Sequence, residues 1–254
     1  MRVALFVPCY VDQLAPGVAQ AARRVLQRAG CTVHYDPRQT CCGQPFLNLG
    51  AAAEAARLAR RHLEIFTGFD AVVCPSASCA STVRHRYAEI GATGDPGQCS
   101  RTFELGEFLV RERKRTELGA RFPHRVALLE SCHGLRELGL GRPSEIPGRA
   151  GEAGNDGGES TSARLLRAVE GLELARPERP DECCGFGGAF SVELPTVSGR
   201  MGRARLRALA DTGAEYVTGT DVSCLLHLDG LRRREGYGPE PIHLAEVLDA
   251  EGGR

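Results

Sequence analysis

The sequence carries no excess of charge of either sign: 32 Lys and Arg stand against 32 Asp and Glu, a formal net charge of zero. That balance excludes the basic footprint expected of a nucleic-acid or anionic-membrane binder. No apolar run approaches the roughly 20 residues that a bilayer-spanning helix requires, so no transmembrane segment is expected. The opening Met1-Arg-Val-Ala-Leu-Phe-Val-Pro-Cys9 is too short and too weakly basic for a secretory signal and reads as a buried strand. A dinucleotide fingerprint is also missing. Gly185-Phe-Gly-Gly has the wrong spacing, and no suitable acidic residue follows a βαβ unit. Together these absences point to a cytoplasmic protein with no flavin or nicotinamide site of its own.

What the chain does have is cysteine, eleven in 254 residues. In a reducing cytosol such thiols are more often ligands or catalytic groups than disulfides, and an odd total fits a simple disulfide set poorly. Their arrangement repeats. The first half contains Cys9 at the end of an apolar run, then Cys41-Cys42-Gly43, then Pro75-Ser-Ala-Ser-Cys79. The second contains Val126-Ala-Leu-Leu-Glu-Ser-Cys132, then Cys183-Cys184-Gly185, then Asp221-Val-Ser-Cys224. Segments closing the halves also correspond: Phe103-Glu-Leu-Gly-Glu-Phe-Leu109 matches Ile242-His-Leu-Ala-Glu-Val-Leu248. Two domains are therefore expected, 1–120 and 121–254. The second is lengthened by a Gly-rich stretch, Gly141 to Ser162, whose composition suits a mobile surface insertion.

Within each half, short runs rich in β-branched residues alternate with Ala- and Arg-rich segments of helical spacing. Strands are expected at Val3–Pro8, Thr32–Tyr35 and Ala71–Cys74, and again at Arg125–Glu130, Leu172–Ala175 and Tyr216–Thr218. Helices are expected near Gly17–Ala29, Ala51–Phe66 and Ser78–Ile90, and near Thr161–Val169, Thr196–Thr212 and Ser223–Glu235. This alternation predicts an α/β protein of two tandem, pseudo-twofold-related domains, each a small parallel sheet flanked by helices.

In open parallel sheets, ligands gather at the carboxyl edge, where strands give way to loops. Three separate pieces of each half deliver cysteines there. The candidate metal ligands are thus Cys9, Cys41, Cys42 and Cys79 in one set, and Cys132, Cys183, Cys184 and Cys224 in the other. Four thiolates suit a 4Fe–4S cluster or a structural zinc, and zinc in one half stays open. Gly43 and Gly185 let adjacent thiols turn into one site. Cys79 and Cys224 are expected at helix N-termini, where the dipole favours a thiolate. Cys31 and Cys99 read as non-ligands, and Cys74 as core filler close to the site. His133 could hydrogen-bond a sulfur or an organic acid, or simply its own backbone. Arg136 could bind a carboxylate, but a solvated arginine is the commoner case. Arg57, Arg60, Arg61, Arg200, Arg203 and Arg207 read as solvated helix faces, with docking of an acidic partner as the alternative.

At these residues the chain resembles the cysteine-rich CCG-domain family. Its members include the cysteine-rich subunit of heterodisulfide reductase, the glycolate oxidase iron–sulfur subunit and a cysteine-rich component of anaerobic glycerol-3-phosphate dehydrogenase. The most specific stretches are Glu130-Ser-Cys-His-Gly-Leu-Arg-Glu-Leu138 and Glu182-Cys-Cys-Gly-Phe-Gly-Gly-Ala-Phe-Ser191. The resemblance covers nearly the whole chain except the Gly-rich stretch. It is strongest to the stand-alone domain pairs that work in lactate utilization. It implies an iron–sulfur component of a three-protein system oxidising L-lactate to pyruvate, with a ferredoxin-like iron–sulfur partner. The heterodisulfide reductase subunit ends each motif in Cys-x-x-Cys and uses the extra thiol in a non-cubane cluster. Ser76 and Asp221 stand at those positions here, which argues against disulfide-cleaving chemistry and leaves an ordinary four-thiolate cluster open. The alternatives are a thiol–disulfide redox subunit and a zinc-stabilised, non-catalytic assembly subunit.

Overall fold

The computed structural model describes residues 1–95, 97–145 and 158–251. The first half runs β1 (Arg2–Leu5), α1 (Cys9–Leu14), α2 (Pro16–Arg28), β2 (Thr32–His34), α3 (Gln44–Asn48), α4 (Ala52–Ile65), β3 (Ala71–Cys74), α5 (Ala77–Ser81), β4 (Thr102–Glu104) and α6 (Leu105–Glu107). The second runs β5 (Arg125–Leu128), α7 (Cys132–Arg136), α8 (Thr161–Arg167), β6 (Glu173–Ala175), α9 (Ala189–Glu193), α10 (Pro195–Ala210), β7 (Tyr216–Gly219), α11 (Val222–Glu235), β8 (Glu240–His243) and α12 (Leu244–Asp249). Every strand pair is parallel, in the orders β2-β1-β3-β4 and β6-β5-β7-β8. The two halves are repeats of one topology, as the sequence implies.

Strand alternation assigns each residue its layer, because successive side chains leave opposite faces of a sheet. Val3, Leu5, Ala71 and Val73 point one way, into a core that also contains Val126 and Leu128 of the second sheet. Their neighbours Ala4, Phe6, Val72 and Cys74 point the other way, under α4. In the second half Ala127, Leu129 and Val217 pack on Leu206 and Leu209 of α10 and on Leu225 and Leu228 of α11. One central core therefore joins both sheets, and each has an outer core of its own. Helix α12, last in the chain, lies against α2 of the first half, and Asp249 receives Arg24 at 2.6 Å and Arg28 at 3.0 Å.

Three features depart from the sequence expectation. Each sheet gains a fourth strand, β4 or β8, in the closing segments whose correspondence was evident without their conformation. Short helices α1, α3, α7 and α9 sit beside the cysteines, too brief to show periodicity. The expected helix Ser78–Ile90 is a single α-turn passing into a π-helical turn at Thr82–Arg86, where Tyr87 reaches back to donate to the Cys42 carbonyl at 3.1 Å. Of the expected insertion, residues 146–157 lie outside the described residues. Its described flanks are tied down: Ser160, Thr161 and Ser162 are buried, Ser160 donates to Glu130 at 2.6 Å, and Asp181 accepts from the Ser144 amide at 2.7 Å.

Glu104 ends β4 and caps α6, accepting from the Glu107 amide at 2.9 Å. Burial pushes its carboxyl up to about 7, although the Gly106 and Glu107 amides pull it down. The folded state then binds a proton that the unfolded chain has released, so this group costs stability as pH rises from about 4.5 to about 7. Glu104→Gln, which keeps the acceptor, should remove that slope. Denaturant unfolding across the window should show the variant gaining on the parent as pH rises; a constant difference would count against a buried, proton-holding Glu104.

Candidate metal centre

Cys9 and Cys132 are the first residues of α1 and α7, and Cys79 and Cys224 the third residues of α5 and α11. All four follow strand ends, as sheet topology requires of residues at the carboxyl edge. The paired cysteines sit on the turns between. There Gly43 and Gly185 take φ of 89° and 84°, a left-handed conformation that side chains disfavour. A Cβ at Gly185 would also stand 2.7 Å from Met201 Cβ and from the Ser198 carbonyl of α10. The turn can lie this close to its helix only without a side chain.

These turns bring the thiols of each half together. In the first half Cys9 Sγ lies 3.7 Å from Cys41 Sγ, and Cys42 Sγ 3.4 Å from Cys79 Sγ. In the second, Cys184 Sγ lies 2.9 Å from Cys224 Sγ. The leading cysteine of each pair collects donors. Cys42, Cys9 and the Gly43 amide hold Cys41 down at about 3, and Cys132, Cys184 and the Gly185 amide hold Cys183 down at about 2. Cys42 and Cys184, which donate, are pushed well up. In each half the leading thiol of the pair is thus the one favoured as a thiolate, with an amide on its sulfur at 3.4 Å. This donor set suits a soft metal or cluster, which takes deprotonated sulfur and is tuned by amide hydrogen bonds.

Both sets open onto one cavity of about 440 Å³ between the halves, lined by all eight of these cysteines. Tyr10 of the first half and Phe186 of the second meet edge to face across it at 5.8 Å. His133 Nε2 lies 3.1 Å from Gln44 Nε2, and its Nδ1 3.6 Å from Cys132 Sγ. No Lys or Arg is among the described residues lining the cavity. Among the described residues, no group of three or more His, Cys, Asp or Glu side chains meets the geometry of a metal-ion site.

The positions that sequence comparison marks only as lacking a thiol prove to be bonded to each other. Ser76 Oγ donates to Asp221 Oδ1 at 2.8 Å across the halves. The same buried carboxylate accepts from Ser78 Oγ at 2.8 Å, the Ser78 amide at 3.1 Å and Ser131 Oγ at 2.7 Å. Ser76, Ser131 and Asp221 are the N-cap residues of α5, α7 and α11, which carry Cys79, Cys132 and Cys224. Burial alone would raise Asp221, but Ser131, His133, Ser78 and Ser76 hold it ionised and below its ordinary value. One carboxylate therefore fixes three cysteine-bearing helices from two halves. The sequence signal for it was an acidic residue at the start of an apolar helix.

The other candidates are placed as follows. Cys31 lies in the central core and Cys99 against the outer core of the first half, both away from the cavity lining. Cys74 is fully buried at the end of β3, beside Cys79. Arg136 is exposed, as a solvated arginine would be, and pairs with Glu145 at 2.6 Å and Asp181 at 3.4 Å, away from the cavity lining. Of the helix-face arginines, Arg61 donates to the Arg38 carbonyl at 2.9 Å and Arg203 pairs with Glu235 at 2.8 Å, while Arg57, Arg60, Arg200 and Arg207 are exposed.

Two repeated parallel sheets converging paired-cysteine turns on a shared cavity define a cysteine-rich domain pair. Comparison agrees: the cysteine-rich CCG domain profile matches residues 3–84 and 150–229. The chain belongs to the CCG cysteine-rich domain family, among the proteins called lactate utilization protein A. Lactate utilization protein A of Exiguobacterium sp. is 35% identical, the alignment covering 98% of this chain and 97% of that one. The protein of that name from Shouchella clausii is 36% identical over 99% and 100%, and lactate utilization protein A 1 of Bacillus mycoides 32% over 99% and 98%.

Removing the central carboxylate should be costly. Asp221→Ala takes the shared acceptor from the hydroxyls of Ser76, Ser78 and Ser131, at about 1–3 kcal/mol for a buried donor left unpaired; Ser76 is buried, and Ser78 and Ser131 are partly so. Chemical denaturation of the metal-free protein measures this. A loss below about 1 kcal/mol would mean that the three helices are held by something else.

Proposed function

We propose that this chain is the iron–sulfur, electron-carrying component of an L-lactate-oxidising system. Support comes from eight thiols, delivered by six separate segments to one cavity, in a chain whose full-length relatives are named for lactate utilization. Cys9, Cys41, Cys42 and Cys79 would hold one cluster, and Cys132, Cys183, Cys184 and Cys224 a second, most simply of 4Fe–4S type. Such a cluster supplies reversible one-electron storage. The chain's own residues present thiolates, set amides against sulfur, and screen the site with the Tyr10–Phe186 pair.

Carboxylate substrates are usually gripped by Arg or Lys, and no such residue lines the cavity among those described. That favours electron carriage here and lactate binding on another polypeptide. Electrons would pass to a ferredoxin-like iron–sulfur partner, with a third protein completing the system. Among the described residues no helix is long and apolar enough to cross a membrane, and we place the work in the cytoplasm. The bond between Ser76 and Asp221 disfavours the disulfide-cleaving alternative, since both positions for an extra thiol are taken by a structural hydrogen bond.

Anaerobic purification followed by iron, sulfide and zinc quantification tests the reading. Iron and sulfide in near-equal amounts are expected, with Cys184→Ser losing the iron of the second set only. Stoichiometric zinc without iron would instead support the assembly-subunit alternative. Deleting the gene should abolish growth on L-lactate, and unaffected growth in a strain without a second copy would sink the lactate assignment.

A further inference from the structure

The mouth of the cavity is ringed by apolar side chains that the fold leaves uncovered. Leu14 of α1, Phe46 of α3, Leu49 just beyond it, Val192 of α9, and Leu194 and Val197 at the start of α10 are six of the eleven large hydrophobic residues exposed among those described. Leu49 and Val192 themselves line the cavity, yet are 59% and 80% exposed. Leu14 lies one turn along α1 from Tyr10, which also lines it. The ring closes between the halves, because a Cβ on Gly188, just before α9, would stand 3.8 Å from Asn48 Nδ2 of α3. Composition is as one-sided as placement. No residue from Cys41 to Ala53 is charged, and from Cys183 to Gly199 only Glu193 is. Single exposed apolar residues are ordinary, but apolar residues gathered into one patch mark an interaction site.

Charge returns just beyond the ring. Ala55, Ala59 and Leu63 of α4 recur at constant spacing as Ser198, Gly202 and Leu206 of α10, all six buried. Arg57 and Arg200 are therefore equivalent positions, on the helices that leave the two paired-cysteine segments, and both are exposed. Arg57 has only Glu54 at 3.9 Å, and neither Arg60 nor Arg200 has a partner among the described residues. An uncharged apolar centre with a charged margin is the anatomy of a protein–protein interface. A lipid surface fits less well, since interfacial segments carry Lys or Arg on their polar face and neither 41–53 nor 183–199 holds one. A second copy of the chain would bring arginine margins with few acids to meet them.

We propose that this collar docks an iron–sulfur electron carrier whose own contact face is apolar at its centre and acidic at its margin. Apolar burial supplies the affinity, and Arg57, Arg60 and Arg200 steer the approach. The docked partner closes the cavity over the eight thiols and brings its redox centre to their open side. This rests on the iron–sulfur reading above and adds to it the surface and the chemistry of the partner's face.

The test uses the iron-loaded full chain and the purified ferredoxin-like iron–sulfur protein of the same lactate system, with binding kinetics followed across a salt series. Leu49→Asp and Val192→Asp should each weaken binding about tenfold or more, as expected near the centre of an interface, with iron content and circular dichroism unchanged. Tyr237→Asp, at an exposed aromatic on the amino edge of the second sheet between α11 and β8, should bind as the parent does. Arg57→Glu combined with Arg200→Glu should slow association and flatten its salt dependence, with little change in dissociation. Should the two cavity-lining variants lose iron, Leu14→Asp, outside the lining, decides by the same criterion. Parent-like binding by the collar variants overturns the inference and leaves the function standing, as does an iron-bearing parent chain that does not bind this partner or binds it at a salt-independent rate. Collar variants that lose a self-dimer in sedimentation, or pelleting with phosphatidylglycerol vesicles, while still binding the partner also overturn it. Absence of iron from the parent protein overturns the functional reading, and this inference with it.

Discussion

The geometry of the centre depends on one buried carboxylate. Asp221 joins the caps of three helices that belong to two different sheets, and each of those helices carries, in its first turn, a cysteine lining the cavity. A buried charge is tolerated when hydrogen bonds satisfy it, and here the donors are themselves the cap residues that set helix direction. The central core keeps the sheets together, but apolar packing is non-directional. Directional bonds to Asp221 set how one thiol set faces the other.

From that constraint follows the division of labour within the chain. Strand alternation sends half of each strand into the common core and half under an outer helix, so both carboxyl edges meet at one place. Glycine turns then bring paired sulfurs in close, with an amide on the leading thiolate of each pair. The symmetry is incomplete behind the turns, where His62 of α4 packs among aromatic rings and the buried Arg205 of α10 donates to the Arg179 and Pro180 carbonyls.

Much of this was legible in the sequence, because repetition and period-two patterning survive without coordinates. The order of strands and cysteines, the glycine turns and the helix-start positions of Cys79 and Cys224 all follow from local rules. What was not legible depends on contacts between distant segments. Ser76 and Asp221 looked like two separate losses until the fold placed them 2.8 Å apart. Arg205 carries no motif that marks it, and only the fold shows it fully buried on α10. The short helices beside the cysteines are capped and packed rather than periodic, so composition does not announce them. Arg136 is exposed, as a local reading has it, but its acidic partners lie 9 and 45 residues away in sequence.

The central claim is that each thiol set would hold a redox centre facing the one cavity between the halves. Anomalous diffraction at the iron edge, from crystals of the anaerobically loaded chain, tests it most directly. The account predicts iron sites confined to that cavity, bounded by Cys9, Cys41, Cys42 and Cys79 on one side and by Cys132, Cys183, Cys184 and Cys224 on the other. Iron held by Cys31, Cys74 or Cys99, or an iron-free cavity in protein that carries iron elsewhere, would contradict it.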